Sequence, residues 1–153
     1  MQKDTNVGTG TLALAKLAQP LRRGEVEDLR GLVIDAGNGM GGHTLPPVLA
    51  QLPVKVTRLY FEPDGRFPNH EADPLKDKNL SDVQAAVRRE RADLGVAFDG
   101  DADRCIFVDE KGDRVGCDHV TALLARDLLR TWKGPVVYDL RSSRATADII
   151  REL

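Results

Sequence analysis

Three aspartates at alternate positions, Asp99, Asp101 and Asp103, sit between two apolar runs, Leu94–Phe98 and Cys105–Val108. Short apolar runs of this length read as buried strands, so Asp-Gly-Asp-Ala-Asp-Arg is the link between two of them. If the link stays extended, its three carboxylates point the same way, because side chains alternate with period two. Gly100 and Ala102 are small, which lets the backbone bend and a ligand approach closely. Two carboxylates ~5 Å apart repel by roughly 3 kcal/mol at an effective dielectric of about 20. Three therefore call for a cation. The donors are all oxygens, which suits a hard ion such as Mg²⁺ rather than Zn²⁺.

Two other readings of the same stretch compete. One is a solvated acidic turn with Arg104 as its counter-charge. The other is an EF-hand loop, in which Asp99, Asp101 and Asp103 take positions 1, 3 and 5 and Glu110 takes position 12. Position 6 of that loop needs glycine and here is Arg104. The flanks read as strands, where an EF-hand needs helices.

Upstream lies a second organised stretch. Residues 32–34 begin a strand that ends at Asp35, and a glycine-rich turn at 37–42 leads into a helix expected at 45–51, with Pro46 and Pro47 in its first turn. Gly37, Gly39 and Gly42 satisfy G-x-G-x-x-G, and Glu62 follows at the end of the next apolar segment, 54–61. That spacing makes a Rossmann-type dinucleotide-binding module the alternative reading. Against it, Asp35 would set a carboxylate beside the pyrophosphate, and the acidic loop would go unexplained.

The loop at 63–74 is rich in Pro, Asp, Asn and Gly and holds His70, for which a loop-ordering hydrogen bond is the expectation and a metal role the alternative. His43 and His119 have no partner at ligand spacing. Asn79 reads as the cap of a helix, with Asp82 completing a capping-box-like pattern, and Leu80, Val83, Ala86 and Val87 on its apolar face. Residues 110–113 read as a hairpin turn. Asp118 reads as the cap of the next helix, 136–140 as a strand and 145–153 as a last helix. Residues 11–23 read as a short helix. The alternation of strands and helices argues an α/β fold, a three-layer α/β/α arrangement on a mostly parallel mixed sheet. A truncated second α/β unit follows it.

A chain of 153 residues with a net charge of −2 suits an ordinary globular core and carries no electrostatic footprint for nucleic acid. No apolar run approaches the ~18 residues of a membrane span. Cys105 and Cys117 have no second pair with which to build a metal site, and two reduced thiols fit a cytoplasmic protein.

GVAFDGDADR at 95–104 resembles the metal-binding loop of the α-D-phosphohexomutases, the phosphomannomutase/phosphoglucomutase family. LVIDAGNGMGG at 32–42, FEPDGRFPNHEADP at 61–74 and VVYDLRSSR at 136–144 resemble the same family in the same order. The resemblance implies an isomerase that moves a phosphoryl group between O1 and O6 of glucose or mannose 1- and 6-phosphates through hexose 1,6-bisphosphate. It implies Mg²⁺ on Asp99, Asp101 and Asp103. It also implies phosphate contacts at Arg104, with a structural ion pair as the rival role, and at Arg141, where the family often has lysine. Arg144 matches the motif and is expected to be structural. Residues 29–113 would be the family's second domain, 114–153 the opening of its third, and 1–28 a lead-in. The family's phosphoserine segment, third-domain sugar loop and fourth-domain phosphate loop are not in these 153 residues, so no catalytic residue is assigned. The chain reads as a mutase fragment that is inactive alone.

Overall fold

The computed structural model describes residues 29, 31–140 and 142–152. The helix expected at 11–23 and the side chain of Arg141 lie outside them. Four strands form one sheet: β1 (Gly31–Asp35), β2 (Lys55–Leu59), β3 (Leu94–Phe98) and β4 (Cys105–Val108), in the spatial order β2-β1-β3-β4. β1 runs parallel to both its neighbours, with Asp35 opposite Leu59 on one side and Ala97 on the other. β4 returns antiparallel to β3, Phe98 facing Cys105. Val33, Ile34 and Asp35 are buried in succession, as befits a central parallel strand covered on both faces, whereas edge strand β2 exposes Lys55 and Arg58.

The helices are α1 (Gly41–Thr44), α2 (Pro46–Leu49), α3 (Ser81–Glu90), α4 (Cys117–Thr131) and α5 (Arg144–Arg151). The crossover from β1 moves outward to β2, and the crossover from β2 moves back past β1 to β3. Both are right-handed by rule, so the two connections cover opposite faces of the sheet. The expected α/β/α layering is what forms. α3 lays Val83, Ala86 and Val87 on the sheet, where they meet Val33, Ile106 and Val108 in the main core.

Local departures from the expected elements have physical causes. The helix foreseen at 45–51 is shortened to Pro46–Leu49, with both prolines in its first turn as expected, and a separate single turn precedes it at Gly41–Thr44. Pro46 and Pro47 have no N–H to give to the carbonyls four residues back, and the amides of Val48 and Leu49 turn to the Leu45 oxygen. Asn79 does not cap α3. It is buried in a 3₁₀ turn (Asp77–Leu80), and its amide bonds the Asp73 carbonyl at 2.9 Å. Asp82 accepts the Tyr60 hydroxyl instead, at 2.8 Å. Asp118 lies inside the first turn of α4, next to the helix dipole rather than at the cap, which is Gly116. Residues 136–140 form no strand. A strand needs a ladder for its N–H and C=O groups, no described strand pairs with them, and Val137 and Leu140 stand exposed. The hairpin at 110–113 forms as foreseen, with the Gly112 amide on the Asp109 oxygen and Val108 bridged to Arg114. α4 and α5 pack on each other, and Thr146 Oγ1 bonds the Asp118 carbonyl at 3.3 Å. No helix among the described residues is long and apolar enough to cross a membrane.

Leu80 is 1% exposed at the centre of this core, whereas Leu123 is 54% exposed. Leu80→Ala should lower the unfolding free energy by about 2–5 kcal/mol. Leu123→Ala should change it by no more than about 0.5 kcal/mol. Urea denaturation followed by circular dichroism, with midpoints compared at constant slope, checks both.

Candidate metal centre

In an open α/β sheet the crevice outside the carboxyl ends of the strands opens where neighbouring connections leave in opposite directions. Here that point lies between β1 and β3. The loop after β1 runs toward β2, and the loop after β3 runs toward β4. The residues following Asp35 and those following Phe98 meet there, backbone to backbone. The Met40 amide bonds the Gly100 carbonyl at 2.9 Å. A Cβ on Gly39 would stand 2.6 Å from that same oxygen, so only glycine admits the approach. Gly42 is pressed in the same way against the Phe61 carbonyl. The space these glycines open is filled by the protein's own backbone, which leaves the pyrophosphate of the Rossmann alternative no place. Glu62 is exposed, and among the described residues it is its carbonyl that the fold uses, bonded by Asn38 Nδ2 at 2.8 Å.

Asp99, Asp101 and Asp103 do converge. One carboxylate oxygen from each lies within 4.8 Å of the others, with Asp99 buried and the other two exposed. The route differs from the extended link expected. Residues 100–103 form a turn in which the Ala102 amide bonds the Asp99 carbonyl, and Ala102 itself takes a left-handed φ of 62°. The turn, not strand alternation, brings the carboxylates together.

Arg104 closes the turn from below. Its Nε donates to Asp99 Oδ2 at 2.6 Å and its backbone N–H to Oδ1 at 3.1 Å, while Asp103 and Asp73 lie at 3.6 and 3.9 Å. Burial alone would raise the Asp99 carboxyl. The Arg104 N–H and guanidinium outweigh it and hold that carboxyl below its usual value. The charge of Asp101, then burial and Asp99, push Asp103 up. Such a set is short of positive charge at its exposed side, which is what a cation would supply. Glu110 lies past the far end of β4, a strand that itself spans roughly 13 Å, and takes no part in the cluster. The EF-hand arrangement is absent.

Arg144 pairs with Asp148 one turn along α5, at 3.6 Å, on the exposed face of that helix. His70 makes the loop-ordering bond expected of it, but with a partner not foreseen, the buried Asp35. Asn38 was missed altogether. Its amide bonds the Tyr60 carbonyl, its carbonyl takes the Asp64 amide, and its side chain links Glu62 to Asn69. The only signal for it was its place between glycines in the turn after a strand.

Residues 14–112 match the family model described as phosphoglucomutase/phosphomannomutase, alpha/beta/alpha domain II. The chain belongs to this family. The match begins within the stretch read above as a lead-in. A phosphoglucomutase of Neisseria meningitidis serogroup B is 43% identical over 122 residues, which are 79% of this chain and 26% of that protein. A phosphomannomutase/phosphoglucomutase of Pseudomonas aeruginosa is 40% identical over 120 residues, again 26% of its length. A crystal structure of a phosphoglucomutase/phosphomannomutase family protein from Burkholderia thailandensis superposes with a TM-score of 0.76 at 35% identity, covering 83% of this chain and 29% of that one. The chain thus spans about a quarter of the length of the curated relatives it matches.

Arg104 sets an acid limit on the folded family domain. Asp99 is depressed in the folded state, so its stabilising contribution is present above its unfolded value and disappears as pH falls through the folded one. In Arg104→Met the backbone N–H still reaches Asp99 but the guanidinium is gone, so Asp99 is held down less and the acid-unfolding midpoint should move to higher pH. Acid titration followed by far-ultraviolet circular dichroism reads the shift.

Proposed function

We propose that this chain is the metal-loop portion of a phosphohexomutase, an isomerase moving a phosphoryl group between O1 and O6 of a hexose phosphate, and that Asp99, Asp101 and Asp103 hold Mg²⁺. The observation that carries this reading is the convergence of the three carboxylates at the sheet's switch point, in a chain that belongs to the family. The donor set suits the ion. All donors are hard oxygens, and each Asp99 oxygen keeps a second lone pair after its bond to Arg104. Three protein ligands leave part of an octahedral shell for water or a phosphate oxygen.

Each residue has a role on this reading. Asp99, walled in and held ionised by Arg104, fixes one ligand direction, while Asp101 and Asp103 close on the ion from the solvent side. Arg104 is half exposed and keeps guanidinium hydrogens available for a phosphate. Arg141 would be a second phosphate contact, a clamp that stays charged and cannot act as a base. Bound Mg²⁺ would supply charge compensation for the transferring phosphoryl group. Glucose or mannose 1- and 6-phosphates, with the 1,6-bisphosphate between them, are the substrates of the whole enzyme on this reading. Residues 29–113 form the second-domain unit and 114–153 the opening of the next. The β1–β4 sheet is complete by the Val108–Arg114 bridge, and α4 and α5 pack chiefly on each other.

Calorimetric titration should find Mg²⁺ binding with a Kd on the order of 1 mM, as expected of a site with few protein ligands. Asp101→Asn should abolish it and Glu110→Gln leave it unchanged. Acidification should weaken it as protons compete at Asp103. Tight Ca²⁺ binding lost in Glu110→Gln would sink the reading. A coupled mutase assay on the 153-residue chain, primed with hexose 1,6-bisphosphate and Mg²⁺, should stay at background, since the phosphoryl-donating serine is not among these residues. Turnover abolished by Asp101→Asn would show the phosphoryl donor to lie within them.

A further inference from the structure

The metal reading leaves unused a second buried carboxylate. Asp35 ends β1 with its side chain 1% exposed, and His70 reaches it from the loop after β2 with its own side chain 13% exposed. The hydrogen-bond inventory of this pair is restrictive. His70 Nδ1 lies 2.9 Å from the Glu71 carbonyl oxygen, which only accepts, so Nδ1 carries a hydrogen. Nε2 lies 2.9 Å from Asp35 Oδ2, and Oδ1 takes the Gly37 amide at 2.8 Å. Two states satisfy the Nε2–Oδ2 contact. Either an imidazolium donates to a carboxylate, or a neutral imidazole accepts from a carboxylic acid. Both hold one proton between the two groups, and both leave the pair neutral. Without that proton the neutral imidazole has one N–H for two acceptors, so either Asp35 Oδ2 or the Glu71 carbonyl faces a nitrogen lone pair. The Asp35 charge is then left buried with no opposite charge beside it, an arrangement that costs several kcal/mol in general.

The surroundings favour keeping the proton. Asp82 on α3 acts on both His70 and Asp35, and the Tyr60 ring meets the imidazole edge-on at 5.3 Å. The Tyr60 hydroxyl, pushed up to about 12 by burial and by its bond to Asp82, stays a donor. Burial alone would lower His70. The Glu71 carbonyl and the charges of Asp35 and Asp82 carry it above its ordinary value, and burial raises Asp35 in turn.

The pair bears on the acidic turn through what its loop carries. A methyl placed on Gly100 would touch Phe67 Cζ at 3.5 Å and Ala72 Cβ at 3.8 Å, and Asp73 faces Arg104 at 3.9 Å. We infer that His70 is a positioning residue: with Asp35 it forms a one-proton clamp that holds the 61–74 loop against the Asp99–Arg104 turn, and the clamp opens when that proton leaves. Its functional meaning rests on the metal reading of that turn. The sign follows from the raised folded value of His70. The clamp is whole below the unfolded value of about 6.5 and is lost as pH rises through the folded one.

Nuclear magnetic resonance of the nitrogen-labelled 153-residue chain, titrated from mildly acid to alkaline pH, tests this. The His70 imidazole should titrate above an exposed histidine, and the Gly100 and Met40 amides should shift with the same midpoint. His70→Gln keeps a donor for Asp35 and removes the imidazole, so the amide transition at the His70 midpoint should vanish while the fold remains. If that variant does not fold, the coincidence of the wild-type midpoints decides. A His70 midpoint at or below the ordinary value, non-coincident midpoints, or a Gly100 transition that survives in His70→Gln would overturn the clamp. Mn²⁺ binding, read by paramagnetic broadening on the same samples, should weaken across the transition in wild type and not in His70→Gln. Broadening without any His70-dependent amide transition sinks the clamp alone. A clean amide transition without Mn²⁺ binding upholds the clamp and sinks the metal reading.

Discussion

Parallel pairing of β1 with β3 brings two central strands out at the same edge of the sheet, and each is followed or ended by a carboxylate with no access to water: Asp35 on one, Asp99 beyond the other. Isolated charges in such places are untenable, so each must find hydrogen-bonding or charged partners. Asp99 is satisfied from within its own turn, by the backbone and side chain of Arg104. Asp35 is satisfied by the Gly37 amide and, from 35 residues away, by His70. The loop architecture at this end of the molecule follows from those two demands. The turn after β3 curls back because Arg104 must reach Asp99, and the 61–74 loop folds inward because His70 must reach Asp35.

Between the two carboxylates the packing is backbone against backbone. Gly39 lies on Gly100, Gly42 on Phe61, and Asn38 threads its amide and side chain into the loop beyond β2. These contacts have no flexible side chain to absorb a displacement, so the loops after β1, β2 and β3 share one geometry. The exposed Asp101 and Asp103 stand on this platform. Their mutual repulsion is tolerated at the solvent edge, where screening is strong, while the one carboxylate denied water is the one given an arginine.

The elements best read in advance were those whose signal is local. The apolar runs at 94–98 and 105–108, the hairpin turn at 110–113 and the apolar face of α3 all appear where the residue pattern places them. Errors fell where a residue had two uses. Asn79 has cap chemistry but is buried, and its amide goes to the Asp73 carbonyl. The run at 136–140 has strand composition but no neighbouring strand among the described residues. The helix at 46–49 carries its two prolines in the first turn, as expected, but ends two residues short of Gln51.

The sequence by itself determined the chemistry of the acidic turn. Three oxygen donors two residues apart, small residues between them and an arginine after them limit what the segment can bind whatever surrounds it. It also determined the family, because four ordered motifs survive in the linear text. Tertiary structure alone decided which glycines serve the backbone and not a cofactor, since G-x-G-x-x-G reads the same for both until Gly100 and Phe61 are seen against it. Only the fold could join Asp35 to His70. A hydrogen bond between residues 35 apart leaves no periodicity, and the burial that makes the bond obligatory is a property of the assembled sheet, not of either residue.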